Sequence, residues 1–338
     1  MVDYKPLSHY LAQLLRGYSS IYITDKKFFK KKLFRENPLQ AIAVDMLLRN
    51  NCICKGVFCG RRIHVIEYNG WKIEVLGFKG STPSELYYPC QLESRDSRAI
   101  VSYNDLLGEA IDRPLIVVDN SLYCEHHVKD RNRLVLQESL LLKEIRRFLW
   151  DRHYILNNTP KELAMEFNKI TGLNKVIVSE DNVLPQIIRR GDNIVILDPY
   201  ADKVLHRERL LETTVIVIGG IVDRERPVRE ATKRIAERLR ESIVLERYRL
   251  EIDGIRQAIP HRLNILARII LETIFYNKPL RQTIIENMAN RDLAWYIGLR
   301  IVRYGDKLED IIREIERIRK TSIPRQVIEK ALRIAGKK

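Results

Sequence analysis

Short polar residues and glycines follow four short runs of this sequence, LIVV, VIL, VIVI and RLEI, where the chain would leave a strand. They are Asp119, Asp198, the pair Gly219-Gly220 with Asp223, and the pair Asp253-Gly254. A carboxylate can accept a proton or orient a polar ligand, and a glycine lets a ligand approach the backbone closely. Strand-end aspartates also cap helices or form turns about as often, and a Gly-Gly pair can equally serve a tight strand exit. Grouped together, these residues indicate a ligand site at one edge of a sheet.

The apolar runs predict the strands of that sheet. They span 114–118, 175–179, 193–197 and 213–218. They lack alternating polar residues, as is typical of strands buried on both faces. Helices are predicted between them: 159–162 has the pattern of a capping box with proline first, Gly172 would end that helix, and another helix spans 226–241. The predicted fold class is therefore α/β with a parallel sheet, which binds ligands at the carboxyl ends of its strands.

The segments on either side of this pattern differ from it. Residues 1–110 mix a helix with short strands and a hairpin turn at Asn69-Gly70, and residues 279–338 are helical. The helix is expected over 6–16, the strands over 52–59, 62–68 and 71–78 as a meander, and a turn-rich loop or linker over 79–98 with a little structure around Leu86 to Tyr88. We predict three parts: an amino-terminal α+β module (1–110), an α/β body (111–278) and a carboxy-terminal helical module (279–338).

The charge of the chain indicates an acidic partner. Its 338 residues carry 59 Lys and Arg against 44 Asp and Glu, a formal net charge of +15 that is spread over all three parts. Such a spread fits a protein that lies along a large polyanion better than one with a single basic tail. The longest apolar run, 213–222, is too short to span a membrane, and the amino terminus lacks a signal-peptide core. We expect a cytoplasmic protein without a membrane partner.

The five cysteines form no CxxC pair. A zinc site could be drawn from Cys52, Cys54, Cys59 and His64. Its spacing is unlike that of the usual zinc knuckles, so cysteines buried in strands are the favoured interpretation and no metal is predicted. A chain of this length can also build its core without disulfides.

Three strand-end blocks carry the most specific motifs of the sequence. They are DRPLIVVDNS at 112–121, NIVILDPYAD at 193–202 and TTVIVIGGIVDRERP at 213–227. Neither GxGxxG nor GxxxxGK[ST] occurs, which disfavours a nucleotide-dependent oxidoreductase. In order and spacing the blocks resemble the position-9 tRNA purine N1-methyltransferases of the SPOUT superfamily, and 249–266 is similar to the family's next strand and loop. The flanking parts are similar in placement to those of archaeal members.

The resemblance implies a SPOUT-type trefoil-knotted parallel sheet that catalyses S-adenosylmethionine-dependent N1-methylation of the purine at position 9 of tRNA, acting as a monomer. The DRERP and DPYAD stretches depart from those that eukaryotic members favour, which leaves the target base open. We favour adenine, with guanine or both bases as the alternative. The rival class is a non-enzymatic RNA-binding protein.

The resemblance also assigns site residues. The residues expected to bind S-adenosyl-L-methionine are Ile218, Gly219 and Gly220 in a first loop, Ile252, Gly254 and Ile255 in a second, and Leu263, Asn264 and Leu266 at the start of the next helix. Such backbone and apolar contacts suit adenine and methionine groups. Asp223 is expected to contact the target base, and to act as general base if that base is guanine, with Asp253 in support. Asp119 and Asp198 are candidate supporting residues.

Two basic clusters could follow the phosphates of the tRNA, and the first of them is the reason to expect that the amino-terminal module (1–110) binds RNA. The first is Lys26, Lys27, Lys30, Lys31, Lys32 and Arg35, and the second is Arg224, Arg226, Arg229, Lys233 and Arg234. The second lies beside the IGGIVD loop, which favours RNA contact. The first could equally be a solvated face over a core of Phe28, Phe29 and Phe34. Since N1 lies on the Watson-Crick edge, the nucleotide must leave the tRNA core to be methylated.

Overall fold

The computed structural model describes residues 4–90, 99–222 and 230–336, which contain two sheets. The first sheet belongs to the amino-terminal module, and a short 3-10 helix at Lys26–Lys30 precedes the second α-helix. The elements of this module are α1 (Leu7–Leu14), β1 (Ser20–Ile23), α2 (Lys32–Glu36), α3 (Pro38–Arg49), β2 (Cys52–Lys55), β3 (Cys59–Tyr68), β4 (Trp71–Pro83), β5 (Leu86–Cys90), β6 (Ala99–Val101) and α4 (Tyr103–Glu109). The strand order is β3-β4-β1-β5-β2-β6.

This sheet is mixed, and it corrects the predicted meander. The β3-β4 hairpin does turn at Asn69 and Gly70, whose φ values of 46° and 78° are those of the predicted turn. However, β1 lies between β4 and β5 and runs parallel to both. The loop predicted over 79–98 is wrong for 79–83, because β4 continues to Pro83. The structure expected around Leu86 to Tyr88 is an inner strand, Leu86–Cys90, whose residues are alternately buried and half-buried.

The second sheet belongs to the body and has the predicted α/β architecture. Its elements are β7 (Leu115–Asp119), α5 (Val128–Ile145), β8 (Tyr154–Asn157), α6 (Lys161–Thr171), β9 (Ile177–Val178), α7 (Leu184–Ile187), β10 (Ile194–Leu197), β11 (Lys203–Val204), α8 (Arg207–Glu212), β12 (Val215–Gly219), α9 (Ala231–Arg240), β13 (Glu246–Arg249) and α10 (Leu263–Phe275). The strand order is β11-β13-β10-β12-β7-β8-β9, and every neighbouring pair is parallel. The parallel sheet is thus confirmed, and the trefoil knot stays a prediction.

The helix boundaries of the body follow the prediction in part. Gly172 ends α6 with φ 65°, as predicted. The predicted capping box at the start of α6 is wrong, because the Thr159 hydroxyl is buried and bonds Asn120 and the Asn157 carbonyl instead. The start predicted for the next helix, at 226, lies outside the described residues.

The carboxy-terminal module is helical, as predicted, and shares its core with the body. Its helices are α11 (Leu280–Asn287), α12 (Asn290–Tyr304), α13 (Leu308–Arg319) and α14 (Arg325–Ile334). One apolar cluster runs from Ile116 and Ile218 in the sheet, through α10, to Ile311 and Ala331 in the last two helices. The module therefore packs on one face of the body as a further layer. The predicted boundaries at 110 and 278 stay predictions.

The amino-terminal module is joined to the body by buried polar contacts. The Gln40 side chain, which is fully buried, accepts from the Ser8 N–H and donates to the carbonyls of Arg146 and Leu149. Lys175 of the body donates to the Leu47 carbonyl at 2.7 Å. Because a buried amide is costly to leave without partners, these bonds specify one docking arrangement.

The cysteines pair in a way that sequence spacing did not indicate. Cys54 and Cys90 form a disulfide between β2 and β5, and the buried Cys52 lies beside it. The zinc alternative is wrong, because Cys59 is exposed and stands apart from the others. Within the described part of the chain, Cys52, Cys54 and Cys90 are the side chains grouped closely enough to hold a metal.

Candidate cofactor and RNA site

The strand ends meet at one edge of the body sheet, as predicted. In the parallel registers Gly219 pairs with Asp119, and Asp119 pairs with Asn157. Ile218 pairs with Leu197, which precedes Asp198. Asp223, the residue expected to contact the target base, lies outside the described residues.

Two of the strand-end aspartates accept hydrogen bonds from other groups of the chain. The buried Asp119 carboxylate accepts from the side-chain amides of Asn157 and Asn158 at 2.8 and 2.7 Å. Asp198 accepts from the Arg247 guanidinium and from the backbone N–H of Tyr200. Both carboxylates thus brace the loops at this edge, the turn-forming alternative that the sequence left open.

Close packing surrounds the glycine pair. A Cβ at Gly220 would lie 1.9 Å from Asn120 Oδ1, and one at Gly219 would lie 2.8 Å from the Ile221 side chain. The Gly220 N–H donates to the Asp119 carbonyl at 2.8 Å. These contacts favour the tight strand exit as the reason for Gly220. At Gly219 the nearest atoms are the ends of the Ile221 and Ile235 side chains, so both alternatives stay open there.

Asn120 connects the glycine pair to a buried acid that sequence reasoning missed. Its side-chain amide donates to Glu138 Oε1 at 2.8 Å. Glu138 is fully buried, and burial raises the pKa of its carboxyl to about 8 although Asn120 donates to it. A signal was present, since Glu138 lies three and four residues from Leu141 and Leu134 on the apolar stripe of α5.

The second loop expected to bind cofactor is a tight turn. Ile252 and Ile255 exchange backbone hydrogen bonds, and between them Asp253 and Gly254 have φ values of 48° and 69°. The Asp253 carboxylate accepts hydrogen bonds from the Arg281 guanidinium at 2.9 Å and from the Tyr296 hydroxyl at 2.5 Å. Burial opposes ionisation, but these hydrogen bonds outweigh it and hold the pKa of Asp253 below its usual value. A carboxylate held in this way is a poor proton acceptor, so the geometry favours a supporting role for Asp253 over a role as base.

Apolar residues of the three segments expected to bind cofactor belong to the large apolar cluster of the body. Ile218, Ile252, Ile255 and Leu263 are buried members of that cluster, and Leu266 packs against it. The Leu263 N–H at the start of α10 is capped by the Gln137 side chain at 3.0 Å. Asn264 Oδ1 is buried and has no hydrogen-bond partner among the described residues. An unpartnered amide oxygen can accept from a ligand that offers a donor, such as an adenine amino group.

Two contacts hold the chain on either side of the segment that contains Asp223. Before it, the buried His126 Nε2 accepts from the Val222 N–H at 3.1 Å. After it, Arg234 forms a bidentate ion pair with Glu125 at 2.6 and 2.8 Å. The sequence analysis assigned Arg234 to RNA binding and did not predict that His126 binds the backbone of Val222. Both contacts join residues that are far apart in the sequence.

The first basic cluster is exposed and borders a groove. Lys26, Lys27, Lys30, Lys32 and Arg35 are exposed. Phe28 and Phe34 are buried beneath them, and Lys31 pairs with Asp45 at 2.7 Å. The groove, about 760 Å³, lies between the amino-terminal module and the body, and its basic lining residues are Lys31, Lys32, Lys143, Arg146, Arg147, Arg268 and Lys278. Among the described residues, Lys143 has no carboxylate partner, so its charge is available to a ligand.

The second basic cluster is described only in part. Arg224, Arg226 and Arg229 lie outside the described residues. Lys233 pairs with Glu230 at 3.2 Å, in addition to the Arg234 ion pair with Glu125. Their roles in RNA binding stay predictions.

The fold and the site together define a class: a parallel α/β protein in which glycines and carboxylates gather at the carboxyl edge of the sheet. Residues 1–87 match the family described as the tRNA (adenine(9)-N1)-methyltransferase N-terminal domain. The chain is 28% identical over 290 residues, 85% of each chain, to a tRNA (adenine(9)-N1)-methyltransferase of Sulfolobus acidocaldarius. It is 23% identical over 283 residues, 83% of this chain and 72% of the relative, to a tRNA (guanine(9)-/adenine(9)-N1)-methyltransferase of Thermococcus kodakarensis.

Solved structures agree on the fold. Trm10 of Sulfolobus acidocaldarius in complex with S-adenosylhomocysteine superposes with a TM-score of 0.69 at 23% identity, over 97% of this chain and 98% of that one. A dual-specific Trm10 from Thermococcus kodakaraensis superposes with a TM-score of 0.61 at 21% identity, over 82% and 98%. The predicted resemblance to the archaeal position-9 tRNA purine N1-methyltransferases is thus confirmed. Among the described residues, no helix combines the length and apolar character that crossing a bilayer requires.

Proposed function

We propose that this protein transfers the methyl group of S-adenosyl-L-methionine to N1 of the purine at position 9 of tRNA, with adenine as the preferred base. The observation that carries the proposal is the parallel sheet whose strands end side by side at Asp119, Gly219 and Asp198, together with the match of residues 1–87 to the family's amino-terminal domain. The family resemblance assigns 218–220, 252–255 and 263–266 to the cofactor. When bound there, the cofactor would supply an electrophilic methyl group.

The choice of adenine follows from the chemistry of the two bases. Adenine N1 has a free lone pair at neutral pH, so correct placement of that nitrogen supplies much of the acceleration. Guanine N1 carries a proton and needs a base. Asp119, Asp198 and Asp253 are each engaged by donors of the chain, so the role of base would fall to Asp223. The Thermococcus relative, named for both bases, supports dual specificity as the second candidate.

The tRNA would lie across the groove between the amino-terminal module and the body. Lys31 and Lys32 line the groove from the module, where they pair with Asp45 and Glu36. From the body the groove is lined by Arg268, which pairs with Glu144, and by Lys143, which has no carboxylate partner among the described residues. Cations on both walls can follow a phosphate backbone, while the target nucleotide leaves the stack to reach the carboxyl edge of the sheet. We propose that the protein acts on tRNA as a monomer in the cytoplasm, without a metal.

The test is methylation of unmodified tRNA transcripts that carry A or G at position 9, with S-adenosylmethionine, followed by mass-spectrometric mapping of the product. The matched control is the same transcript with U at position 9. We expect 1-methyladenosine at position 9 and less or no product from the G transcript. Equal products from both transcripts would establish dual specificity. Tight RNA binding without any methylation would refute the proposed function and favour a non-enzymatic RNA-binding protein.

A further inference from the structure

The turn at 252–255 is held by side chains of the carboxy-terminal module. Arg281 of α11 and Tyr296 of α12 bind the Asp253 carboxylate. At the end of α12, Tyr304 donates to the Asp253 carbonyl at 2.7 Å, and Arg303 donates to the Gly254 carbonyl at 3.2 Å. The turn is therefore bound through its one carboxylate and through two of its backbone carbonyls.

A second set of ion pairs ties these helices together behind the turn. Glu314 of α13 forms ion pairs with Arg281 and Arg300, each at 2.6 Å. Arg300 also forms an ion pair with Asp306 at 2.6 Å. The Arg281 guanidinium donates in addition to the Tyr296 hydroxyl at 2.9 Å. Because Tyr296 is fully buried, its ring fixes the position of the hydroxyl that meets Asp253. The network thus joins three helices to one turn.

The network fixes where the turn lies, whereas the turn's own sequence suits its backbone conformation. Asp253 and Gly254 both have positive φ, which Asp-Gly pairs adopt readily. A Cβ at Gly254 would lie 2.9 Å from Tyr304 Oη, so α12 packs directly against the turn. If the network served only helix packing, it would not need to converge on a loop of another part of the chain.

We propose that the carboxy-terminal module holds the 252–255 turn in the form that binds the cofactor, with Arg281 and Tyr296 as positioning residues that act through Asp253. The inference rests on the proposed function, because that function assigns the turn to the S-adenosylmethionine site. Substitution of either residue should weaken cofactor binding while tRNA binding, which uses other surfaces, is retained. Asp253 itself is then a structural anion rather than a base.

The test is calorimetric titration of the full chain with S-adenosylmethionine, alongside tRNA binding and thermal unfolding. Tyr296→Phe removes one hydroxyl and Arg281→Gln removes the charge. Each should weaken cofactor binding about tenfold, corresponding to about 1.4 kcal/mol, and raise KM for the cofactor more than it lowers kcat. Arg313→Gln is the control, since Arg313 pairs with Asp310 within α13, on an exposed surface.

A double-mutant cycle separates positioning from general stability. In an Asp253→Asn background, Tyr296→Phe should have much less effect on cofactor affinity, because the two side chains act together. If Arg281→Gln lowers the thermal midpoint so far that it cannot be titrated, Tyr304→Phe provides a milder perturbation of the same turn and should weaken binding severalfold.

Failure of the inference differs from failure of the proposed function. Wild-type protein that neither binds S-adenosylmethionine nor methylates tRNA would refute the function. Wild-type protein that does both, with folded Tyr296→Phe and Tyr304→Phe variants of unchanged cofactor affinity, would leave the function in place and overturn the positioning role.

Discussion

Replacing Glu138 by glutamine should make the protein more stable at neutral and alkaline pH. Glu138 is fully buried in α5, one oxygen accepts from Asn120, and the other has no partner among the described residues. Burial raises the pKa of this carboxyl to about 8, from the usual 4.5. Glutamine has nearly the same shape as the protonated acid and, like that acid, carries no charge.

The magnitude follows from proton linkage. Since the folded-state pKa lies above the unfolded-state pKa, the stability contributed by protonated Glu138 is fully present below about pH 4.5 and is lost as pH rises to about 8. At 1.36 kcal/mol for each pH unit, the loss reaches at most roughly 5 kcal/mol. Above pH 8 both states are ionised and the loss becomes constant.

The assay is denaturant unfolding of wild-type and Glu138→Gln protein between pH 4.5 and 8.5. The free energies of unfolding should be similar at the acid end, and the variant should become more stable by several kcal/mol at pH 8. Glu166→Gln is the control, because Glu166 is exposed on α6 and makes a long ion pair with Lys169. Parallel pH curves for wild type and Glu138→Gln would show that the buried carboxyl does not retain its proton, and the linkage reasoning would be wrong.

Three further predictions concern the site. Gly220→Ala should lower the free energy of unfolding by about 1–3 kcal/mol, because the new Cβ meets Asn120. The control is Gly108→Ala, which should not destabilise the protein because nothing lies within 4 Å of that Cβ. Equal midpoints of the two variants in thermal unfolding would contradict the prediction. Asp223→Asn should reduce the rate of single-turnover methylation, most strongly on the transcript with G at position 9. The cofactor affinity measured by calorimetry should stay nearly unchanged. Wild-type rates on both the A and the G transcript would remove Asp223 from the mechanism. Charge reversal of Lys30, Lys31 and Lys32 should make tRNA affinity less dependent on salt. The slope of log affinity against log salt concentration should fall by about one for each phosphate that these lysines no longer neutralise. An unaltered slope would assign the three lysines to a solvated face.

Local patterns in the sequence were sufficient for much of the fold. The continuous apolar runs predicted a parallel sheet, because only strands covered on both faces can lack polar residues. The Asn69-Gly70 pair predicted its hairpin and Gly172 predicted a helix end, since both depend on φ values that few residues adopt. At Leu86–Cys90 the sequence indicated only a little structure and not an inner strand, because the turn-forming residues around it resemble a loop.

The sequence by itself determined the class of sheet, the edge at which polar residues gather and the motifs that resemble a methyltransferase family, because each of these depends on residues that are neighbours along the chain. Only the tertiary structure decided what those residues contact. It paired Asp253 with Arg281 and Tyr296, Asn120 with Glu138, and Cys54 with Cys90. Such partners are 18 to 43 residues apart, and no periodicity of a helix or strand links positions at that distance. Whether a strand-end carboxylate is free to do chemistry is therefore a property of packing, and the motif alone did not indicate it.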